Sequence, residues 1–440
     1  MPVISSIRSG ILFVIVFILS VLITIPGCNT GSGIRYVSYR DPVLDSCVNE
    51  PGHRYYISMP VNLDAGKKIP LIIAIDPHGD GLLAVRNFTG ALKGIPAVIA
   101  GSERLKNNYD GFEQSITSLV GEVSAKYPVD PDRIIVAGFS GGARMAYYYG
   151  MNHKVYGIIM YGAGPGRLPQ DFGQRRLYAV SGTKDFNFME QYSPLFSGMN
   201  DKPDYVTDFF RGTHEWPPST NIFESVAYVL RDGQGTEESV LENMADVFLS
   251  EYDSLSGAND LFFAGKALEK AWHFVPGTKS KERVSAKIDV FKKMPGFIDY
   301  QQKFESYLHK EIKLKQAYAG RMNDPDTAWW HQEIISLHNN ISSCPDSMQA
   351  DYYYRIKGFV GIIFFSQIND LLKKGVFNEQ VRKLLYIYEQ AEPGSPDLFY
   401  FKALVQHRTG HEKEAQALLA AAIKRGFSDH ERMIQDFGGS

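Results

Sequence analysis

Short apolar runs bounded by turn residues recur through the first half of the chain. They are Tyr55 to Met59, Leu71 to Ile75, Ala97 to Ala100, Arg133 to Ala137, Gly157 to Met160, Leu177 to Val180 and Val206 to Phe210. Several are continuously apolar, as strands buried on both faces are. Between two of them, Phe112, Ile116, Leu119, Val120 and Val123 fall on one helical face. This alternation predicts an α/β region with a mostly parallel sheet covered by helices. After about Val229 the strand pattern stops, and Val240, Leu241, Met244, Val247, Phe248 and Tyr252 make a helical stripe. Helical pattern broken by Gly and Pro continues to the end. A chain of 440 residues is therefore expected to hold an α/β domain over 47–231 and an all-helical domain over 232–440.

Inside the helical part, PDLFYFKALVQHRTGHEKEAQALLAAAIKRGF sets Phe399, Ala403, Gly410, Ala415, Leu419 and Ala422 at the spacing of a tetratricopeptide repeat. The unit before it, from about Ala350 to Pro393, fits less well: Val381, Leu385 and Pro393 agree, but its first helix is too long. A TPR-like region over 350–427 and a generic helical bundle both satisfy this pattern. A helical-repeat surface would present a concave face to a protein partner.

The N-terminus follows neither pattern. Arg8 precedes ILFVIVFILSVLITI, and the run ends at Ile25-Pro26-Gly27-Cys28. A basic end, an apolar core and small residues make an export signal over 1–27. The run is short for a membrane-spanning helix, which needs about 20 residues. Its ending resembles a bacterial lipobox, which implies a lipid on Cys28; Pro26 departs from the usual residue at its place. The alternative is an uncleaved signal anchor. Residues 28–46 are Gly/Ser-rich and read as a tether. The expected address is a bacterial cell envelope, with the chain lipid-anchored to a membrane and facing the periplasm or the exterior.

Composition narrows the picture a little. Hydrophobic residues make 44% of the chain and charged residues 22%, as in ordinary globular proteins. A net charge of -3 without a concentrated basic patch points away from nucleic acid. The three cysteines, Cys28, Cys47 and Cys344, make neither a disulfide framework nor a metal cluster. With Cys28 lipidated, Cys47 and Cys344 either pair or remain free thiols.

The candidate chemistry starts at IIVAGFSGGARMA, Ile134 to Ala146. A lone G-x-S-x-G is weak, but here a strand feeds the turn and a helical stretch leaves it, as a nucleophile elbow requires. Ser140 is then forced into a strained geometry, and Gly138 and Gly142 avoid Cβ collisions with strand and helix. A serine needs a base and an orienting acid. VSGTKD offers Asp185 just past the strand at Leu177, and FFRGTHEWPP offers His214 just past the strand at Val206. The order Ser, Asp, His suits this fold class, and both candidates follow strand C-terminal ends, where open α/β sheets place their sites. Glu190 and Asp208 are fallback acids, Asp208 the weaker because it lies inside a strand. In IPLIIAIDPHGDG a strand runs into a loop that would supply one oxyanion N–H, Asp80 or alternatively Gly79, beside that of Gly141. His78 reads as structural. Tyr109, Phe186, Phe188 and Trp216 lie near the motifs and either line a pocket or pack in the core.

The segment from about Cys47 to Leu230 resembles the α/β-hydrolases, especially esterases similar to polyhydroxybutyrate depolymerases, feruloyl esterases and dienelactone hydrolases. PLIIAIDPHGDG, DRIIVAGFSGGARMA, SGTKDFNF and GTHEWPP carry the resemblance. It implies Ser140 as nucleophile, His214 as base and Asp185 as acid, with no metal or organic cofactor. No lid segment is evident, and the family's chemistries are many. The expected function is a serine esterase on a small-molecule or polysaccharide-linked ester, such as a carbohydrate or aryl ester. The alternatives are a serine peptidase of the same fold, or a binding lipoprotein that uses its helical part and keeps the hydrolase fold as scaffold.

Overall fold

The computed structural model describes residues 37–438 except 65, 167–174, 197–203, 232–237, 276 and 324. The expected signal over 1–27, Cys28 and the first part of the tether lie outside the described residues. Strands β1 (Val43–Ser46), β2 (Arg54–Ser58), β3 (Ile69–Ile75), β4 (Val98–Ser102), β5 (Val129–Phe139), β6 (Gly157–Tyr161), β7 (Arg176–Gly182) and β8 (Tyr205–Phe210) form one sheet. Its order is β1-β2-β4-β3-β5-β6-β7-β8. β2 runs antiparallel to both β1 and β4, and every other pairing is parallel.

Side-chain alternation assigns the two faces of the sheet. Ile72, Ala74, Ile135 and Ala137 face one cluster, with Phe88 of α1 (Gly81–Ala91) and Val226 of the last sheet-covering helix. Leu71, Ile73, Ile75, Ile134 and Val136 face the other, with Leu119 of α2 (Phe112–Lys126) and Ala146 of α3 (Gly141–Asn152). The short α4 (Phe188–Gln191) follows β7, and α5 (Ser219–Val229) closes the series. This sheet order, covered on both faces and followed by a large helical region, is the α/β-hydrolase architecture expected from the sequence.

Most strands match expectation to within two residues, and two features depart further. β1 lies inside the expected tether, where it pairs Val43 to Ile57 and Ser46 to Arg54. It escapes an apolar scan because it is an edge strand, with Val43 62% and Leu44 42% exposed. β5 starts at Val129 rather than Arg133, because Val129 pairs with Ile69 across a register shift.

The helical region comprises α6 (Glu238–Gly257), α7 (Leu261–Phe274), α8 (Thr278–Lys292), α9 (Pro295–Arg321), α10 (Thr327–Ser343), α11 (Ser347–Lys373), α12 (Glu379–Ala391), α13 (Pro396–Arg408), α14 (Glu412–Lys424) and α15 (His430–Phe437). The pattern changes near 232, but the packing does not. The described residues form one compact unit. Phe248 of α6, Phe262 of α7, Phe291 of α8 and Phe304 of α9 belong to the same cluster as Phe88 and Val226. The physical reason lies at the β8 edge, where Phe188 and Phe209 sit against Phe262 at ring separations of 6.4 and 5.5 Å. A separate cluster holds α10 to α14 together through Trp330, Ile356, Leu384, Phe401 and Ala422. In the α13–α14 pair Ala403, Ala415 and Ala422 are buried, and Gly410 turns the chain at φ +83°. Cys47 is buried, Cys344 half-buried, and both are free thiols.

Candidate functional site

β5 lies between β3 and β6 and delivers Ser140 at the C-terminal end of the sheet. Ser140 has φ 52° and ψ -117°, a region that non-glycine residues occupy only when their surroundings insist. Its N–H donates to the Tyr161 carbonyl at 2.7 Å. A Cβ at Gly138 would collide with the Gly142 carbonyl, and one at Gly142 with the Ile75 carbonyl. The turn therefore needs glycine on both sides. α3 starts at Gly141, so its free N–H groups and positive end face the serine.

The loops after β7 and β8 bring the partners in. His214 Nε2 lies 2.9 Å from Ser140 Oγ. Its Nδ1 lies 3.0 and 2.9 Å from the two Asp185 oxygens. This network sets the tautomer: Nδ1–H donates to Asp185, and the serine hydroxyl donates to Nε2. Asp185 is fully buried and also accepts the Asn187 N–H at 2.8 Å. The two loops are joined by Thr183 N–H to the Phe210 carbonyl and Lys184 N–H to the Gly212 carbonyl, each at 2.9 Å. The imidazole lies between Phe139 and Phe186, with ring centroids 4.8 and 4.3 Å away.

The fallback acids lie elsewhere. Glu190 pairs with Arg144 at 2.9 Å and accepts the Gly164 N–H at 3.0 Å. Asp208 accepts from Asn221 at 2.9 Å and from the Tyr178 hydroxyl at 3.4 Å.

Register places the loop after β3 beside the elbow, because Ile75 pairs with Gly138. Most amides of that loop are already engaged. His78 N–H donates to Asp76 Oδ1 at 2.9 Å, and Gly79 N–H to the Asp76 carbonyl at 3.1 Å. Gly79 serves the turn itself, at φ +78°, where a Cβ would press on the Glu103 carbonyl. Asp80 caps α1 through its carboxylate, 2.8 Å from Leu83 N. The Asp80 and Gly141 amides make no hydrogen bond among the described residues. His78 stays mostly outside, 57% exposed, with its pKa raised chiefly by the hydrogen bond to Asp76.

Asp76, Asn107 and Phe139 were not singled out from sequence. Buried Asp76 accepts Trp216 Nε1–H at 3.0 Å and so ties the histidine loop to the β3 loop. Asn107 is exposed, and its Oδ1 lies so close over Gly141 that any Cβ there would collide with it. An acid just past a strand and a tryptophan two residues after the histidine were the available signals for Asp76 and Trp216. Nothing local marks Asn107. Of the aromatic candidates, Phe186 and Trp216 lie at the site. Phe188 is core, and Tyr109 packs by Ser115 and Arg104.

A second chain of this type shows what geometry alone does not decide. Ser102 Oγ lies 2.8 Å from His53 Nε2, and His53 Nδ1 lies 3.0 Å from Glu50. Ser102 is fully buried, and its oxygen accepts the Arg104 and Leu105 N–H groups at 3.0 and 3.1 Å. That hydroxyl fastens the loop carrying Asn107 and has no path to a substrate. Ser140, by contrast, is half-buried and sits at a helix N-terminus. Among the described residues no cluster of His, Cys, Asp or Glu is arranged to hold a metal ion.

No protein-family model matches the chain, and no curated protein matches it. Solved structures are similar over less than half of it. A bacterial heroin esterase aligns at 12% identity over 46% of this chain and 86% of its own, with TM-score 0.35. An S-formylglutathione hydrolase from Staphylococcus aureus aligns at 10% identity over 44% of this chain and 97% of its own, with TM-score 0.35. A ferulic acid esterase from the anaerobic fungus Anaeromyces mucronatus aligns at 15% identity over 45% and 92%, with TM-score 0.32. The α/β-hydrolase fold of this chain rests on its sheet order and the turn at Ser140.

Proposed function

We propose that the chain is a serine hydrolase acting on carboxylic esters, exported to a cell envelope and lipid-anchored there through Cys28. The observation that carries the reading is the continuous hydrogen-bonded path from Ser140 through His214 to buried Asp185. Ser140 Oγ attacks the ester carbonyl while His214 Nε2 takes its proton. Asp185 holds the imidazole and stabilises its charged form. The Gly141 and Asp80 amides receive the oxyanion, aided by the α3 N-terminus. His214 returns the proton to the leaving alcohol, then activates a water that releases the acyl group and restores Ser140. The chemistry uses this chain's own groups. Phe139 and Phe186 beside the imidazole, with Trp216 packed on Phe139, favour an aryl or otherwise flat ester.

The test is fluorophosphonate labelling of the purified chain, followed by a panel of esters and matched amides. Wild type is expected to label and to turn over esters faster than amides. Ser140→Ala is expected to lose labelling and to lower turnover by about 10⁴-fold or more. Ester turnover by Ser140→Ala at the wild-type rate would end the proposal. Faster turnover of the amides would make it a peptidase.

A further inference from the structure

The loop that carries Asp185 is held from outside the sheet. Arg355 of α11 donates from Nη1 to the Thr183 carbonyl at 2.8 Å. Lys315 of α9 donates from Nζ to the Phe186 carbonyl at 2.9 Å. These carbonyls bracket Asp185, one two residues before it and one immediately after. Both cations share a single counter-ion, Glu311 of α9. Arg355 Nε and Nη2 each lie 2.8 Å from its Oε2, and Lys315 Nζ lies 2.8 Å from its Oε1. Glu311 is 0% and Arg355 1% exposed. The Arg355 guanidinium also lies over Phe188, 4.6 Å from its centroid.

Packing alone does not hold this loop. A cavity of about 180 Å³ opens behind it, lined by Thr183, Lys184, Asp351 and Arg355 among others. A buried Arg–Glu–Lys group is a poor source of stability, since apolar side chains of equal volume commonly do as well or better. What apolar side chains do not supply is a donor to each carbonyl beside the acid. We infer that Arg355 and Lys315, paired through Glu311, are positioning residues that hold Asp185 in hydrogen-bonding register with His214. The helical region is thereby part of the hydrolytic machinery. The inference rests on the serine-hydrolase reading above.

The experiment is a double-mutant cycle on the full chain, with p-nitrophenyl acetate as probe and thermal melts to verify folding. Glu311→Met with Arg355→Met removes the fully buried ion pair together; Lys315, its side chain 14% exposed, loses its counter-ion but keeps partial access to water. Lys315→Met leaves the Glu311–Arg355 pair in place and removes the donor to Phe186 together with one of the two cations on Glu311. Each change is expected to lower kcat at least about tenfold while KM stays within about twofold. On an Asp185→Asn background the same changes are expected to add less than about twofold, because they act only through Asp185. A loss that multiplies in full on that background would show a general structural effect and overturn the inference. So would wild-type kcat in both variants. If the pair variant does not fold, Lys315→Met decides by the same criteria. A wild-type chain with no Ser140-dependent turnover would remove the hydrolase reading too. An active wild type that is slowed by Asp185→Asn but indifferent to the helical substitutions would remove the clamp alone.

Discussion

Ser140 combines a functional demand with a backbone penalty. At φ 52° and ψ -117° a side chain is strained, and such residues cost about 1–3 kcal/mol each. Ser140→Ala and Ser140→Gly both remove the hydroxyl, so their difference isolates the backbone. Ser140→Gly is expected to be the more stable variant by about 1–3 kcal/mol in urea unfolding. Equal stability would mean that the turn is unstrained. Ser140, Asp185 and His214 were legible because each follows a strand within a short local motif. Asp76, Asn107 and Arg355 were not, because each acts on a segment distant in sequence; Trp216 and Asp76 are 140 residues apart. A local reading puts the Asp80 N–H first but leaves Gly79 open as the alternative donor. Only the turn geometry shows that the Gly79 N–H is already engaged.

Among the elements, the loops at the sheet's C-terminal edge act as a set. Trp216 packs against Phe139 and Tyr161 and donates to Asp76. Trp216→Phe keeps a ring and deletes that donor, leaving one oxygen of a buried carboxylate short of a partner. The loss of stability is expected to be about 1–3 kcal/mol, and kcat is expected to fall about tenfold as the histidine loop loosens. Melts and steady-state kinetics measure the two separately; wild-type kcat would show that the tie does not govern the loop. Strands such as β3 and β6, buried at every position, were readable from their apolar runs. β1 was not, because an exposed edge strand has no apolar signature of its own.

For the whole molecule, the join between sheet and helices carries the least legible information. The stripe through Leu241 and Phe248 predicts that a face of α6 is buried, and a stripe does not say against what. The answer is the sheet's own cluster. His273 of α7 lies in this join, against Tyr228 and Trp272. Burial first, then Arg231, Lys266 and Lys281, lower its pKa to about 3. The unfolded chain, at about 6.5, therefore takes up the proton more readily than the folded one. The stability contributed by neutral His273 is present above about pH 6.5 and is lost as pH falls toward 3. His273→Phe is expected to lose less stability than wild type between pH 7 and 4. Parallel urea midpoints for the two proteins across that range would contradict it.

The hydrogen bond from Arg355 to Thr183 spans 172 residues of chain. At synthesis rates of roughly 5–20 residues per second, that distance is roughly ten to thirty seconds of translation. A nascent chain thus carries its serine, acid and histidine well before the arginine that steadies them has been made. On the clamp proposal, the loop that carries Asp185 can reach its final register only after α11 has been made.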